Sequence, residues 1–148
     1  MPGNLRAVVD TNVILAAHRT ARPSSPNVEL LTRWRRREFQ FLYSTDTLAE
    51  YAEQLLKHGI AADEIEEFIR LLARHGDEVV IVFFHFRHYP VDPNDVMFLL
   101  CAINGGASHL VSYDDHLLSL RPFYVAELAI CEPVEFLGDC RAAQTATP

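Results

Sequence analysis

Asp10, Glu50, Asp95 and Asp114 are the residues of this chain best placed to do chemistry, because each comes just after an apolar, strand-like run. Carboxylates gathered in one cleft repel one another, so they must either take up protons or share a cation. Hard oxygen ligands of this kind suit Mg2+ or Mn2+, which keep several waters and commonly bridge a few carboxylates to phosphate groups. The same residues have a plainer use. Asp, Asn, Ser and Thr cap helices: Asp10 or Thr11 could cap the helix that begins near Val13, and Asp92-Pro93-Asn94-Asp95 is a good helix start in its own right. Thr47-Leu-Ala-Glu50 fits a capping box, and Ser112-Tyr-Asp-Asp115 fits a looser one. Convergence is what favours a site over four separate caps.

Convergence requires a particular architecture. The run Ala7–Val9 closes on Asp10 as a first strand, a helix is expected from Thr11 to about His18, and after the turn Arg22-Pro-Ser-Ser-Pro26 a second runs from Asn27 to about Glu38. Phe39–Tyr43 reads as a second strand. A helix carrying Leu48, Tyr51, Ala52, Leu55 and Leu56 on one face follows and ends near Gly59, and another covers Asp63 to His75. Val79–Phe84 is an unbroken run of β-branched and aromatic residues, the pattern of a strand buried on both faces. An apolar helix Val96–Asn104, a strand His109–Ser112, a short helix with Leu117 and Leu118, a strand Leu128–Cys131 and a helical turn Pro133–Leu137 complete the order. Such alternation predicts a three-layer α/β/α sandwich with a central parallel sheet. In such a sheet all the strand ends that precede the acids share one edge, where open α/β sheets bind their ligands.

The 148 residues, 49% of them hydrophobic, suit one domain with a sizeable core. Residues 1–140 are read as that domain and 141–148, small and polar, as a flexible tail. No apolar run approaches the ~20 residues of a membrane span, and the start lacks a secretory pattern, so a soluble cytoplasmic protein with no membrane partner is expected. Cys101, Cys131 and Cys140 have neither metal-ligand spacing nor a pairing pattern. His85 and His88 lack the further ligands a zinc site needs and are assigned no metal. The net charge of −7 argues against a phosphate-backbone partner. Two features answer it: a bound cation would supply charge at the acids, and Arg19, Arg22, Arg33, Arg35, Arg36 and Arg37 crowd the first quarter. Arg35–Arg37 equally suit a solvated helix end.

Taken together, Val8-Val-Asp10-Thr-Asn-Val-Ile14, Ser44 to Glu50, Asp92-Pro-Asn-Asp95-Val-Met-Phe-Leu99 and Ala107-Ser-His-Leu-Val-Ser-Tyr-Asp114-Asp-His-Leu-Leu118 resemble the PIN-domain ribonucleases, especially the toxins of bacterial toxin–antitoxin pairs (VapC-like). The resemblance implies that Asp10, Glu50, Asp95 and Asp114 hold one or two Mg2+ or Mn2+ ions, that Asn12 and Ser112 support them, and that RNA is cut to leave a 5′-phosphate. It also implies an antitoxin protein and a homodimer. Tyr113 departs from the small residue usual before the last Asp, and a ring there could narrow the cleft or stack on a base. Asp115 is a possible substitute ligand.

Three other functions are weighed against this one. A non-catalytic PIN-like module would bind RNA or protein without turnover. A phosphoacceptor receiver domain needs a Lys near its last strand, and Lys57, the only lysine, lies on a helix. A nucleotide-binding enzyme needs a Gly-rich loop after strand 1, which this chain lacks.

Overall fold

The computed structural model describes residues 5–20 and 22–146. Five strands, β1 (Arg6–Val9), β2 (Gln40–Tyr43), β3 (Asp77–Glu78), β4 (His109–Val111) and β5 (Ala129–Cys131), form one sheet in the order β3-β2-β1-β4-β5. Every pairing is parallel. The helices are α1 (Thr11–Arg19), α2 (Pro26–Arg35), α3 (Thr45–Lys57), α4 (Ala62–His75), α5 (Val96–Asn104), α6 (Asp115–Leu118), α7 (Arg121–Tyr124) and α8 (Pro133–Thr145), with a 3-10 turn at Pro93–Asp95. This is the three-layer sandwich that the alternation predicts.

The strand order carries the functional consequence. From β1 the chain steps outward to β2 and β3, then crosses back to β4 on the other side of β1. The connections on either side of the β1–β4 pair therefore lead away from each other, which opens a crevice beyond the carboxyl ends of these two strands. Asp10 follows β1 directly, and Ser112 to Asp114 follow β4.

An aromatic cluster stiffens this frame. Phe41 on β2 meets Trp34, Tyr51 and Phe68 with ring centroids 5.0 to 6.3 Å apart, and Tyr51 also faces Phe98. Tyr51, fully buried, donates its hydroxyl hydrogen to the carbonyl of Val9. A residue of α3 thus fixes the last peptide before Asp10.

Two expectations are corrected. Val79–Phe84 is not a strand buried on both faces. Only Asp77–Glu78 pair with β2, Val79 adds one bond to the Tyr43 carbonyl, and Val80 and Val82 are 74% and 76% exposed. The reason is the partner: Tyr43 pairs with Glu78, and from Ser44 onward the chain turns into α3, so nothing remains for 80–84 to pair with. Asn104 instead holds the departing segment, accepting from the amides of Val82 and Phe83. Close by, a Cβ on Gly105 would lie 2.8 Å from Val79, so that position has no room for a side chain. The second correction concerns the tail. Residues 141–145 continue α8 and Arg141 pairs with Glu29 at 2.8 Å, while 147–148 lie outside the described residues. The short α7 is a further element that the sequence pattern did not reveal.

Candidate metal centre

Asp10 caps α1 and still faces the crevice. Its Oδ1 accepts from the Thr11 amide at 2.7 Å and its Oδ2 from the Ser112 hydroxyl at 2.6 Å. Ser112, fully buried at the end of β4, in turn accepts from the Asp114 amide at 2.9 Å. One hydroxyl therefore ties the acid after β1 to the loop after β4. Burial raises the Asp10 carboxyl to about 6, against the pull of its two hydrogen bonds, and the charges of Asp114 and Glu50 add to the rise.

Asp95 begins α5 yet makes no capping bond, because Asp92 caps the preceding 3-10 turn by accepting from the Asn94 amide at 2.9 Å. Asp95 is 4% exposed, and its Oδ2 has no partner among the described residues. A buried, unpartnered carboxylate oxygen is costly. Burial first, then a hydrogen bond with Asp114 and the charges of Asp10, Asp114 and Asp92, push this carboxyl up to about 8. Such a position resists an isolated negative charge and welcomes a cation.

Asp92, Asp95, Asp114 and His116 each offer a ligand atom, and these atoms lie within 4.8 Å of one another. His116 Nδ1 is 3.6 Å from Asp114 Oδ1, and its ring is half exposed. Asp95 and Asp114 are thus brought together. Asp10 joins them through Ser112 and through charge, outside the tightest group. Glu50 is half-buried on α3, close enough for its charge to help raise Asp10, and its own carboxyl is raised by burial and by Glu53. It is no cap: Ser44 and Thr47 form the reciprocal box of α3 and leave Glu50 to the cleft. Asn12 accepts from the Tyr113 amide at 3.4 Å. Asp115 is exposed and outside the group.

Asp92 and His116 were not read as site residues from sequence. The signals exist: Asp92 and Asp95 are three apart at a 3-10 turn, where i and i+3 eclipse, and His116 lies two residues beyond Asp114. Tyr113 donates its hydroxyl hydrogen to Asn27 on α2 at 2.9 Å, which fixes the ring at the rim of the crevice.

The donor set fits a hard divalent cation: carboxylates on three connections, an orphaned buried oxygen at the centre, and an imidazole at the edge. A family model for the PIN domain matches residues 6–116. The chain belongs to the PIN-domain family. The match spans every residue of the acidic group and of its hydrogen-bonded support. No curated protein matches the chain. Membership points to nuclease chemistry on nucleic acid, and the acidic group is where this PIN domain could hold a metal.

The remaining titratable candidates sit elsewhere. The three cysteines are free and buried, and burial pushes each thiol up to about 12. The His88 ring stacks on Phe123 at 3.9 Å. Among the described residues no helix is long and apolar enough to cross a membrane.

Proposed function

We propose that this PIN domain is a Mg2+- or Mn2+-dependent endoribonuclease, the toxin of a toxin–antitoxin pair. The observation that carries the nuclease reading is Asp95 Oδ2, buried without a partner in the middle of a group of acids. Asp10, Asp95 and Asp114 are the proposed ligands with Glu50 beside them, and Asp92 and His116 extend the set. A bound divalent ion would lower the pKa of a water and offset charge on the phosphate. Ser112 keeps Asp10 and Asp114 in register, and Asn12 braces the loop through the Tyr113 amide. Glu50, outside the tight group with its carboxyl raised, is suited to orient the attacking water and accept its proton.

The toxin assignment rests on the resemblance of the motifs to that branch, and so do a homodimer and an antitoxin; a cytoplasmic location and a nuclease domain that runs into α8 go with this reading. An apolar groove of about 430 Å3 between α3 and α4, lined by Ala52, Leu56, Ile65 and Ile69, supports a protein partner. Leu56 is 66% exposed there.

The test is cleavage of single-stranded RNA by the purified protein with Mg2+, with Mn2+ and with EDTA, alongside Asp95→Asn. Cleavage that needs the metal and is lost in the variant is the expected result. Metal-dependent RNA binding without cleavage would establish the non-catalytic module instead.

A further inference from the structure

The edge of the sheet away from the acids carries a cleft of opposite character. α2 and α4 end there and β2 and β3 begin there, around a space of about 920 Å3 lined by Arg35, Arg37, Arg74 and His75 over a floor that includes the buried Trp34 and Phe39. Among the described residues Arg35, Arg37 and Arg74 have no carboxylate at ion-pair distance, as is also true of Arg19, Arg22, Arg36 and Arg87, but these three line one cleft. Two acids share the wall. Asp77 is engaged by Arg6 at 3.5 Å, which leaves Glu67 as the one uncompensated negative group of the lining.

Arg37 closes α2: its backbone is left-handed, with φ at 61°, its amide donates to the Trp34 carbonyl and the Glu38 amide to that of Arg33, as at many helix ends. From there its Nη2 comes within 3.3 Å of His75 Nδ1, joining the last turn of α4 to the end of α2. Helix ends attract cations, but the two C-termini together carry only about one negative elementary charge. Three guanidinium groups exceed what the dipoles and Glu67 offset. All three line one cleft, so an anion bound there meets several of them at once. Planar guanidinium forks match phosphate oxygens in pairs, and the cleft has room for the sugar or base that a phosphate carries.

We propose that this cleft is a phosphate-binding site, formed by Arg35, Arg37, Arg74 and His75, that takes a phosphate group of an RNA backbone or of a small phosphate ligand. The site is separate from the acids at the other edge, and binding here does not depend on cleavage there.

Trp34, the only tryptophan, lies in the floor and reports occupancy. The full chain is titrated in EDTA with inorganic phosphate, with a short single-stranded RNA, and with an acidic peptide of equal charge, while Trp34 emission is followed. Saturable change with phosphate or RNA is expected, weakened at least tenfold when Arg35, Arg37 and Arg74 are all replaced by Gln. The slope of log affinity for RNA against log salt should fall by about 0.7 in that variant, the contribution of one single-strand phosphate contact. Replacement by Lys keeps the charge and loses the paired hydrogen bonds, so binding should fall less than in the Gln variant, which separates loss of the site from loss of the fold. RNA binding much tighter than phosphate assigns the backbone as the source, and comparable binding assigns a small phosphate. An equal response to the peptide, or unchanged affinity in the Gln variant, overturns the proposal. A chain that binds here and cuts nothing would sink the nuclease reading and leave this site intact.

Discussion

The two edges of one sheet treat charge in opposite ways. At the carboxyl edge Asp10 and Asp95 are 5% and 4% exposed and stand among other acids. At the amino edge Arg35, Arg37 and Arg74 are exposed and have no carboxylate at ion-pair distance among the described residues. Burial makes each charge at the first edge expensive, so the acids there are held by hydrogen bonds and their protonation is displaced. Solvent makes each charge at the second edge cheap and nearly independent of its neighbours. Single changes at the carboxyl edge should therefore act strongly and not additively, whereas those at the amino edge should act weakly and add up.

The largest effect is expected from Asp95→Asn. Asparagine keeps the shape and cannot carry the negative charge, so RNA cleavage should fall by at least about 10²-fold, the upper range for disrupting a metal's support. In the metal-free protein the same change should raise stability at pH 9, on the order of 2 kcal/mol, because one pKa unit corresponds to about 1.4 kcal/mol and the displacement at Asp95 is large. Below about pH 4, where the carboxyl is protonated in the folded and the unfolded chain alike, the gain should vanish. Urea unfolding under the two conditions measures this, and equal gains at both would show that Asp95 is not a charge held against its preference.

Next in size is the pH dependence of the intact chain. The Asp10 and Asp95 carboxyls, raised to about 6 and about 8, keep protons in the folded state that the unfolded chain releases near pH 4. The folded protein binds more protons across that window, so metal-free stability should be highest below about pH 4 as far as these two groups decide it, and should fall as pH rises toward 8. Mn2+ should reverse the trend. A cation at 100 times its dissociation constant adds about 2.7 kcal/mol, and it competes best where the carboxyls have lost their protons. Melting curves with and without Mn2+ at pH 5 and pH 8 give the comparison. A stabilisation by Mn2+ no larger at pH 8 than at pH 5 would break the contrast between the edges.

This contrast was partly legible in the chain. Asp10 and Asp114 could be placed because β1 and β4 are short and largely buried and lead into their acids within three residues, so period and position agree. Asp95 was legible for its place after a Pro-containing turn, although the burial that makes it unusual was not. Val79–Phe84 misled because composition describes a residue's preference and not its partner: β2 ends at Tyr43, and a strand without a neighbour leaves the sheet. Asp92 and His116 were missed because their nearness depends on how a 3-10 turn and the start of α6 face each other across the crevice, a distance that no spacing in sequence encodes. The arginine cleft was half visible. Arg35–Arg37 could be seen as a run, but Arg74 and His75 arrive from a helix nearly forty residues away.

A smaller effect is expected at Ser112, which touches Asp10 and the Asp114 amide and lies one step back from the proposed ligands. Ser112→Ala removes both bonds and leaves every carboxylate in place. The expected loss is about 10- to 100-fold in metal affinity or activity, and excess Mn2+ should recover part of it, which it cannot do for Asp95→Asn. A Mn2+ titration of cleavage in the two variants tells support from ligation. If Mn2+ recovers neither, Ser112 matters beyond holding Asp10 and Asp114 in register.

Tyr113→Phe should have the smallest effect of all. Tyr113 is 39% exposed, and its ring stands at the rim of the carboxyl edge, held by a hydrogen bond to Asn27, a buried residue of α2. Phenylalanine keeps the ring and strands the Asn27 oxygen, so stability should fall by about 1 kcal/mol. Cleavage should stay within about threefold if the ring is placed by the backbone between Ser112 and Asp114. If the hydroxyl is what aims the ring, the Michaelis constant for RNA should rise while turnover holds, since base stacking on an aromatic ring contributes about 1–3 kcal/mol. The second outcome would make α2 part of the carboxyl edge. The same helix ends at Arg35, so one rigid element would then join the buried charges of one edge to the solvated charges of the other.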